Sequence, residues 1–183
     1  MNNKTLRPKD AATLILYKVD GDQLRVLLGQ RHKGHIFMPN AYVFPGGRVN
    51  SVDSRVRPSS PLKADVLAKL ERAANPARAR AIAVAAIRET YEETGLLIAS
   101  NSNKENFWHM NIGPKLGEIN YFFRAITPPN RIRRFDARFF FADASVAKGK
   151  LGGDGELTNL DWFSLEQIRD LEMAGITRIA LAE

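Results

Sequence analysis

Apolar and polar positions repeat on two different periods along this chain, and the switches between them mark out its elements. Ala11 to Lys18 is mostly apolar and carries Thr, Ile, Leu and Tyr, which predicts a strand. Val19-Asp20-Gly21-Asp22 is a turn, with Asp-Gly as the hairpin signal, and Gln23 to Gly29 is the returning strand. Met1 to Asp10, ahead of them, reads as a loose tail. Arg31 to Asn40 is polar, contains Gly34 and Pro39, and reads as a loop. Its His32 and His35 are expected to face solvent rather than bind a ligand. Tyr42-Val43-Phe44 is a short strand running into Pro45-Gly46-Gly47, where a regular ladder should stop. Two glycines there either turn the chain tightly or let backbone approach a ligand. Arg48 to Ser60 is polar.

The period then becomes helical. Pro61 to Ala74 places Leu62, Val66, Leu67 and Leu70 on one face. After a break, Asn75 and Pro76 make an N-cap and first helical residue, and Gly95 a stop, for a second, alanine-rich helix. Ala83, Ile87, Thr90, Tyr91 and Thr94 form a side that can pack on a sheet. Leu96 to Ala99 reads as a strand. Ser100 to Glu118 is irregular apart from a short helical pattern in Glu105 to Met110, and Phe107 and Trp108 read as packing residues. Ile119 to Ile126 is a strand ended by Pro128-Pro129-Asn130. Phe139-Phe140-Phe141 predicts a buried central strand, Gly152 to Glu156 a flexible acidic loop, and Leu157 to Phe163 a last strand. Ser164 is an N-cap candidate for a helix over Leu165 to Met173, and Gly175 to Glu183 is helical again.

Bulk properties narrow the picture. The 183 residues suit a single domain, 1–183, and 44% hydrophobic with 26% charged residues describe a soluble globular protein. No run approaches the roughly 20 apolar residues of a membrane span, and the N-terminus has no signal-peptide core, so no membrane is expected and cytoplasm is the expected compartment. Zero cysteines exclude disulfides and thiolate metal sites. A net charge of +7 favours anionic ligands, phosphate compounds and nucleic acid among them. The P-loop, the dinucleotide-binding glycine fingerprint, HExxH and the EF-hand loop are all absent.

Against that basic background, Glu89, Glu92 and Glu93 stand out at the end of the second helix. At ~100° per residue they share one face within about a quarter-turn. Taken alone they read as a solvated acidic face or as oxygen ligands for a hard divalent cation, Mg²⁺ or Mn²⁺. The last helical turn is where the helix dipole disfavours anions. Arg131, Arg133, Arg134 and Arg138 form a basic cluster that is either a solvated edge or a phosphate holder.

These residues resemble a known family. Gly47, five residues, Asp53, and later Arg88-Glu89-Thr90-Tyr91-Glu92-Glu93-Thr94-Gly95-Leu96 look like the signature box of the Nudix hydrolases. That box is Gly, five residues, Glu, seven residues, then Arg-Glu-U-x-Glu-Glu-x-Gly-U, with U bulky and apolar. Here Asp replaces the first Glu, Thr90 holds a U position, and 34 residues separate Asp53 from Arg88. The segment 54–75, with its predicted helix, fills the difference; it could cover the site, build a homodimer interface or merely lengthen a loop. Phe44-Pro45-Gly46-Gly47 and Trp162 extend the resemblance, which runs from about Ala11 to Leu171. The long insert is similar to a subgroup related to coenzyme A diphosphatases, although the coenzyme A motif is not matched in Leu27 to Gly47.

The resemblance implies an α+β fold, an α/β/α sandwich around a mixed sheet. It implies that Glu89, Glu92 and Glu93, with backbone at Gly47, bind Mg²⁺ or Mn²⁺. It implies hydrolysis of a diphosphate linkage in a nucleoside diphosphate joined to another group X. Arg88 would orient a glutamate by an ion pair. Glu92 and Glu93 would serve catalysis, with Glu93 or Glu156 as the general base. The arginines Arg131, Arg133, Arg134 and Arg138 could hold the far phosphate or the X group. The second reading is a non-catalytic nucleotide-sensing or RNA-binding domain, although no aromatic-rich RNA-binding signature is visible.

Overall fold

The computed structural model describes residues 6–34, 38–100 and 113–183. Its core is a mixed sheet built on β1 (Lys9–Asp20). Along one edge β1 runs parallel to β7 (Phe135–Asp143), which pairs antiparallel with β6 (Asn120–Ile126). Along the other edge the pairing is divided. The end of β1 forms the Asp-Gly hairpin with β2 (Gln23–Arg31), Tyr17 opposite Val26. Its beginning pairs instead with β4 (Gly46–Arg48), Thr13 opposite Gly46 and Ala11 opposite Arg48. β2 continues to β3 (Tyr42–Val43) on the same edge and to β9 (Leu157–Ser164) on its outer edge. β1 and β2 therefore diverge, and residues 42–48 are wedged into the gap. β5 (Leu96–Leu97) and β8 (Lys148–Gly149) form a separate small sheet.

Strand alternation assigns the two faces. Ala12, Leu14, Leu16 and Leu27 pack in one core with α2 (Pro76–Thr94), and Ile15, Val26 and Leu28 pack in another with Ile168, Met173 and Ala180. Those last residues belong to α3 (Leu165–Arg169), α4 (Gly175–Ala182) and the link between them. The expected α/β/α sandwich is what forms. α2 starts and stops where its capping residues predict: Asn75 Oδ1 accepts the Arg78 N–H at 2.8 Å, and Gly95 adopts φ 74°. Ala79, Ala83, Ala85 and Ala86 are fully buried, so backbone can come close to the sheet and to the elements above it. Ile82 and Ile87, also fully buried, each contribute about 2–3 kcal/mol of apolar burial.

The inserted segment is part of this core. Its helix, α1 (Ala64–Glu71), buries Val66 and Leu70 against the α2 side. Lys63 Nζ donates to Asn120 Oδ1 at 2.9 Å and ties the segment to β6. The segment thus does more than lengthen a loop.

Several expectations need correction. The ladder of β3 on β2 does stop before Pro45, but Gly46 and Gly47 are not merely a turn: they open β4, which pairs with β1 where β2 has peeled away. The tail is shorter than 1–10: Lys9 and Asp10 belong to β1, and Arg134 Nη1 donates to Leu6 O at 2.6 Å. The first helix covers only Ala64–Glu71 of the expected Pro61 to Ala74, and α3 ends at Arg169, with Asp170 as its C-cap. A 3₁₀ turn at Ser51–Arg55 was not foreseen. The helix expected at Glu105 to Met110, with Phe107 and Trp108, lies outside the described residues, as does His35. Among the described residues no helix is long and apolar enough to cross a membrane.

Candidate active site

The wedge of residues 42–48 meets the end of α2, and glycine makes the meeting possible. A Cβ on Gly47 would stand 2.5 Å from the Glu89 carboxylate, and one on Gly46 would stand 2.5 Å from Ala12 O. Without side chains, β4 fits between β1 and α2. Gly46 N–H, not needed by the ladder, donates to Glu93 Oε2 at 2.8 Å.

Arg88 organises the next turn. Its guanidinium is buried, and all five N–H donors of such a group find acceptors. Nε and Nη2 donate to Asp53 Oδ1 and Oδ2 at 2.9 and 3.2 Å. Nη2 also donates to Arg48 O at 2.8 Å, and Nη1 donates to Glu89 Oε1 and Glu92 Oε2, both at 2.7 Å. Burial works against the charge on Arg88, but the Asp53 hydrogen bonds and the Glu89 charge hold its pKa above the usual guanidinium range. Asp53 is fully buried in the 3₁₀ turn, where its Oδ2 also accepts the Asn50 N–H at 2.6 Å. Thr90, at a position the signature fills with an apolar residue, is buried with its hydroxyl donating to Ala86 O at 2.8 Å.

The acidic loop completes the site. A helix end leaves carbonyls without partners, and here Gly152 N–H donates to Thr94 O at 2.9 Å and Asp154 N–H to Glu92 O at 3.0 Å. Those bonds offset the adverse dipole at the end of α2 and hold Asp154 and Glu156 near Glu93. Burial pushes the Glu93 carboxyl well above the usual range; the Gly46 N–H opposes this, while Glu89, Glu156 and Asp154 add to it. Burial also raises Glu89, against the pull of Arg88.

The structure thus gathers Arg88, Glu89, Glu92, Glu93, Gly47 and Glu156 at one end of α2. It does not bring the four other arginines there. Arg138 is held by Asp10 and Asp136, at 2.9 Å from each, and those carboxylates also meet Arg78 in the first turn of α2. That end lies about 20 Å along the helix from Glu92. Arg134 donates to the Thr127 and Leu6 carbonyls, and Arg131 and Arg133 are exposed in the β6–β7 turn. The turn is on the far side of β1 from β4, because β7 and β4 occupy opposite edges of that strand. Sequence reasoning missed Arg31 instead. Burial lowers its pKa, while the charges of Glu93 and Glu156 pull the other way, so it stands beside both. Alternation in β2 was the available signal, since Arg31 shares the face of Leu27, which packs toward α2.

Among the described residues no three carboxylates or imidazoles form a ready metal cage. The reason is local: Glu89 and Glu92 both turn to Arg88 Nη1, and Glu93 to Gly46. The donor set nonetheless fits a hard divalent cation, being all oxygen and bearing crowded negative charge around a buried carboxyl.

No protein-family model matches the sequence, and no curated protein does. Solved structures do. A Nudix hydrolase from Alicyclobacillus acidocaldarius is 25% identical, with TM-score 0.69 over 96% of this chain and 90% of that one. The Nudix domain of Shewanella oneidensis NrtR, complexed with ADP ribose, is 12% identical, with TM-score 0.59 over 100% and 89%. A C. elegans Ap4A hydrolase is 15% identical, with TM-score 0.51 over 95% and 93%. The fold is the Nudix fold. The 25%-identical hydrolase supports the Nudix family for this chain, and an enzyme acting on phosphorus-containing anhydrides.

Proposed function

We propose that this chain is a divalent-metal-dependent hydrolase that cleaves the diphosphate linkage of a nucleoside diphosphate joined to another group X, of the ADP-ribose, dinucleotide or coenzyme A type. The observation that carries the proposal is the buried Glu93 carboxylate on the Gly46 N–H, 2.8 Å away, beside two glutamates gathered by one arginine. The complex of one structural neighbour with ADP ribose and the Ap4A hydrolase activity in the name of another support the substrate class.

Glu89, Glu92, Glu93 and the Gly47 backbone would hold Mg²⁺ or Mn²⁺, whose charge lets a diphosphate approach so many carboxylates and polarises its phosphoryl oxygens. Arg88 keeps Glu89 and Glu92 on one side of the helix and is itself fixed by Asp53. With Glu93 Oε2 occupied by the Gly46 N–H, Oε1 is the oxygen placed to take a proton from the attacking water. Glu156, on the docked loop, is the second candidate for that step. Arg31 replaces the β6–β7 arginines as the guanidinium placed to meet a substrate phosphate.

The test is a panel of ADP-ribose, NADH, coenzyme A, dinucleoside polyphosphates and nucleoside triphosphates with Mg²⁺ or Mn²⁺, with products identified by mass. Two phosphorylated products are expected from at least one diphosphate-linked compound, and none with Glu92→Gln or Glu93→Gln. Full activity in both variants, with the fold intact, would overturn the reading.

A further inference from the structure

Far from the carboxylates, at the opening end of α2, a cleft of about 450 Å³ lies between the inserted helix α1 and strand β6. Lys69 and Arg72 line it from α1 and the residue after it, and Arg124 and Arg138 line it from β6 and β7. Tyr121 and Phe122 form its aromatic wall, and among the described residues no acidic side chain lines it. We propose that this cleft binds a phosphate group, free or carried on a small organic molecule, at a site separate from the proposed hydrolytic centre.

Four observations carry the inference. The first is an orphaned donor. Arg138 is 1% exposed, yet its Nη2 is buried with no hydrogen-bond partner among the described residues, although Nη1 meets Asp10 and Asp136. A buried guanidinium normally satisfies its donors, and leaving one unmet is costly. Arg138 lines the cleft, so an anion entering there would meet the charge of this guanidinium.

The second is uncompensated charge. Asp10 and Asp136 are shared among Arg78, Arg124 and Arg138, so two carboxylates face three guanidiniums. Arg72 adds a further cation whose side chain has no hydrogen bond or ion pair among the described residues, whereas Lys69 has Asp65 at 3.8 Å. Placing like charges around one cavity is unfavourable unless an anion enters it. Cations at the end of α1 complement its dipole, but that does not account for Arg124 and Arg138 on the opposite wall.

The third is convergence. Arg72, Arg124 and Arg138 line the cleft together with Tyr121; burial raises the pKa of the Tyr121 hydroxyl and the Asp136 charge adds to this, while the three guanidiniums act against it. Planar guanidiniums lining one cleft suit a tetrahedral oxyanion. The fourth is size: the volume falls in the ordinary range of small-molecule pockets and exceeds what a bare phosphate needs, leaving the aromatic wall for an organic part. The inserted segment, which the short signature lacks, builds half of this site.

The experiment is isothermal titration of the full chain in excess EDTA, with inorganic phosphate and with ribose 5-phosphate, ribose serving as the uncharged control. Omitting divalent metal keeps the hydrolytic centre out of the measurement, so this result and the hydrolase assay fail independently. Saturable binding of at least one phosphate probe is expected, with none for ribose. The exposed pair Lys69→Ala/Arg72→Ala should weaken it by about tenfold or more, as loss of charge-assisted hydrogen bonds requires, and Glu93→Gln should leave it unchanged. Equal affinity for both probes would identify free phosphate as sufficient; tighter ribose 5-phosphate would show that the aromatic wall contributes. No saturable heat for either probe up to about 10 mM, unchanged affinity in the double variant, or lost binding in Glu93→Gln would each overturn the proposal.

Discussion

Arg88 Nε lies 2.9 Å from Asp53 Oδ1, and neither side chain has meaningful access to water. Thirty-four residues separate the two in sequence, yet the 3₁₀ turn at Ser51–Arg55 delivers the shorter acid to the guanidinium. Breaking such a pair leaves a buried charge without its partner, which costs about 3–5 kcal/mol. Asp53→Asn is therefore expected to lose about 3 kcal/mol of stability in urea unfolding and to lower hydrolysis by releasing Arg88 from its position. Asp53→Glu keeps the charge but adds a methylene to a filled site, costing about 1–3 kcal/mol, so it should fall between wild type and Asp53→Asn. Identical urea midpoints for wild type and Asp53→Asn would refute the positioning role.

Gly47 makes a sharper, more local prediction. The added methyl of Gly47→Ala meets the Glu89 carboxylate at 2.5 Å. Glu89 has to swing away, because the alternative is to push β4 off β1. Activity in the hydrolase panel should fall about a hundredfold, as a displacement of ~1 Å at a reacting centre can cost, while the urea midpoint shifts much less than in Asp53→Asn. Wild-type turnover in Gly47→Ala would show that the Glu89 position is irrelevant to the chemistry.

These two residues also show what the sequence could and could not disclose. Local signals were sufficient for α2: Asn75, Pro76 and Gly95 set its ends, and its spacing put three glutamates together. An apolar run and an Asp-Gly turn were sufficient for β1 and β2, and Leu157 to Phe163 was read as the last strand that β9 proves to be. The partner of Arg88 could not be read in that way, since a long insert breaks the spacing on which such a pairing would be inferred. The role of Gly46 and Gly47 depended on the divergence of β1 from β2, a property of the assembled sheet. Arg131, Arg133, Arg134 and Arg138 were grouped by proximity in sequence, but a hairpin turn and strand alternation send them to different partners. Arg31 was overlooked because β2 runs two residues beyond Gly29, where the expected strand ended, so the alternation from Leu27 was not followed that far.

Asp136 sets the acid limit of the fold at the other end of α2. It accepts hydrogen bonds from Arg124 Nε and Nη2 at 2.8 and 2.9 Å and lies 2.9 Å from Arg138. Burial works to raise its pKa, but the Arg124 hydrogen bonds and the charges of Arg138, Arg124 and Arg78 hold it below the usual range. As pH falls, the unfolded chain takes up this proton first. The stabilisation from Asp136 is therefore complete above the unfolded carboxyl value of about 4 and drains away as pH drops through the lower folded value. Asp136→Asn should cost about 2 kcal/mol near neutral pH and flatten the acid limb of the stability curve. Parallel curves for variant and wild type between about pH 5 and pH 2 would contradict this.

The loop after β8 offers the last test, because it joins structure to chemistry at one glycine. Gly153 packs so tightly on the end of α2 that a Cβ there would collide with the backbone carbonyl of Glu93. Gly153→Ala must lift the loop, releasing the N–H groups of Gly152 and Asp154 from Thr94 O and Glu92 O. Two exposed capping bonds account for only about 1–2 kcal/mol together, so the fold should survive with a modestly lower melting temperature. The consequence for hydrolysis is larger: Asp154 and Glu156 retreat from Glu93, and kcat should drop about tenfold or more. Glu156→Gln then separates two causes. If it matches the kcat of Gly153→Ala while melting like wild type, the loop acts by delivering the Glu156 carboxylate to the attacking water. If Glu156→Gln turns over normally while Gly153→Ala does not, the loop acts by fixing the last turn of α2, and the proton goes to Glu93. Wild-type kcat in Gly153→Ala would separate the docked loop from the reaction altogether.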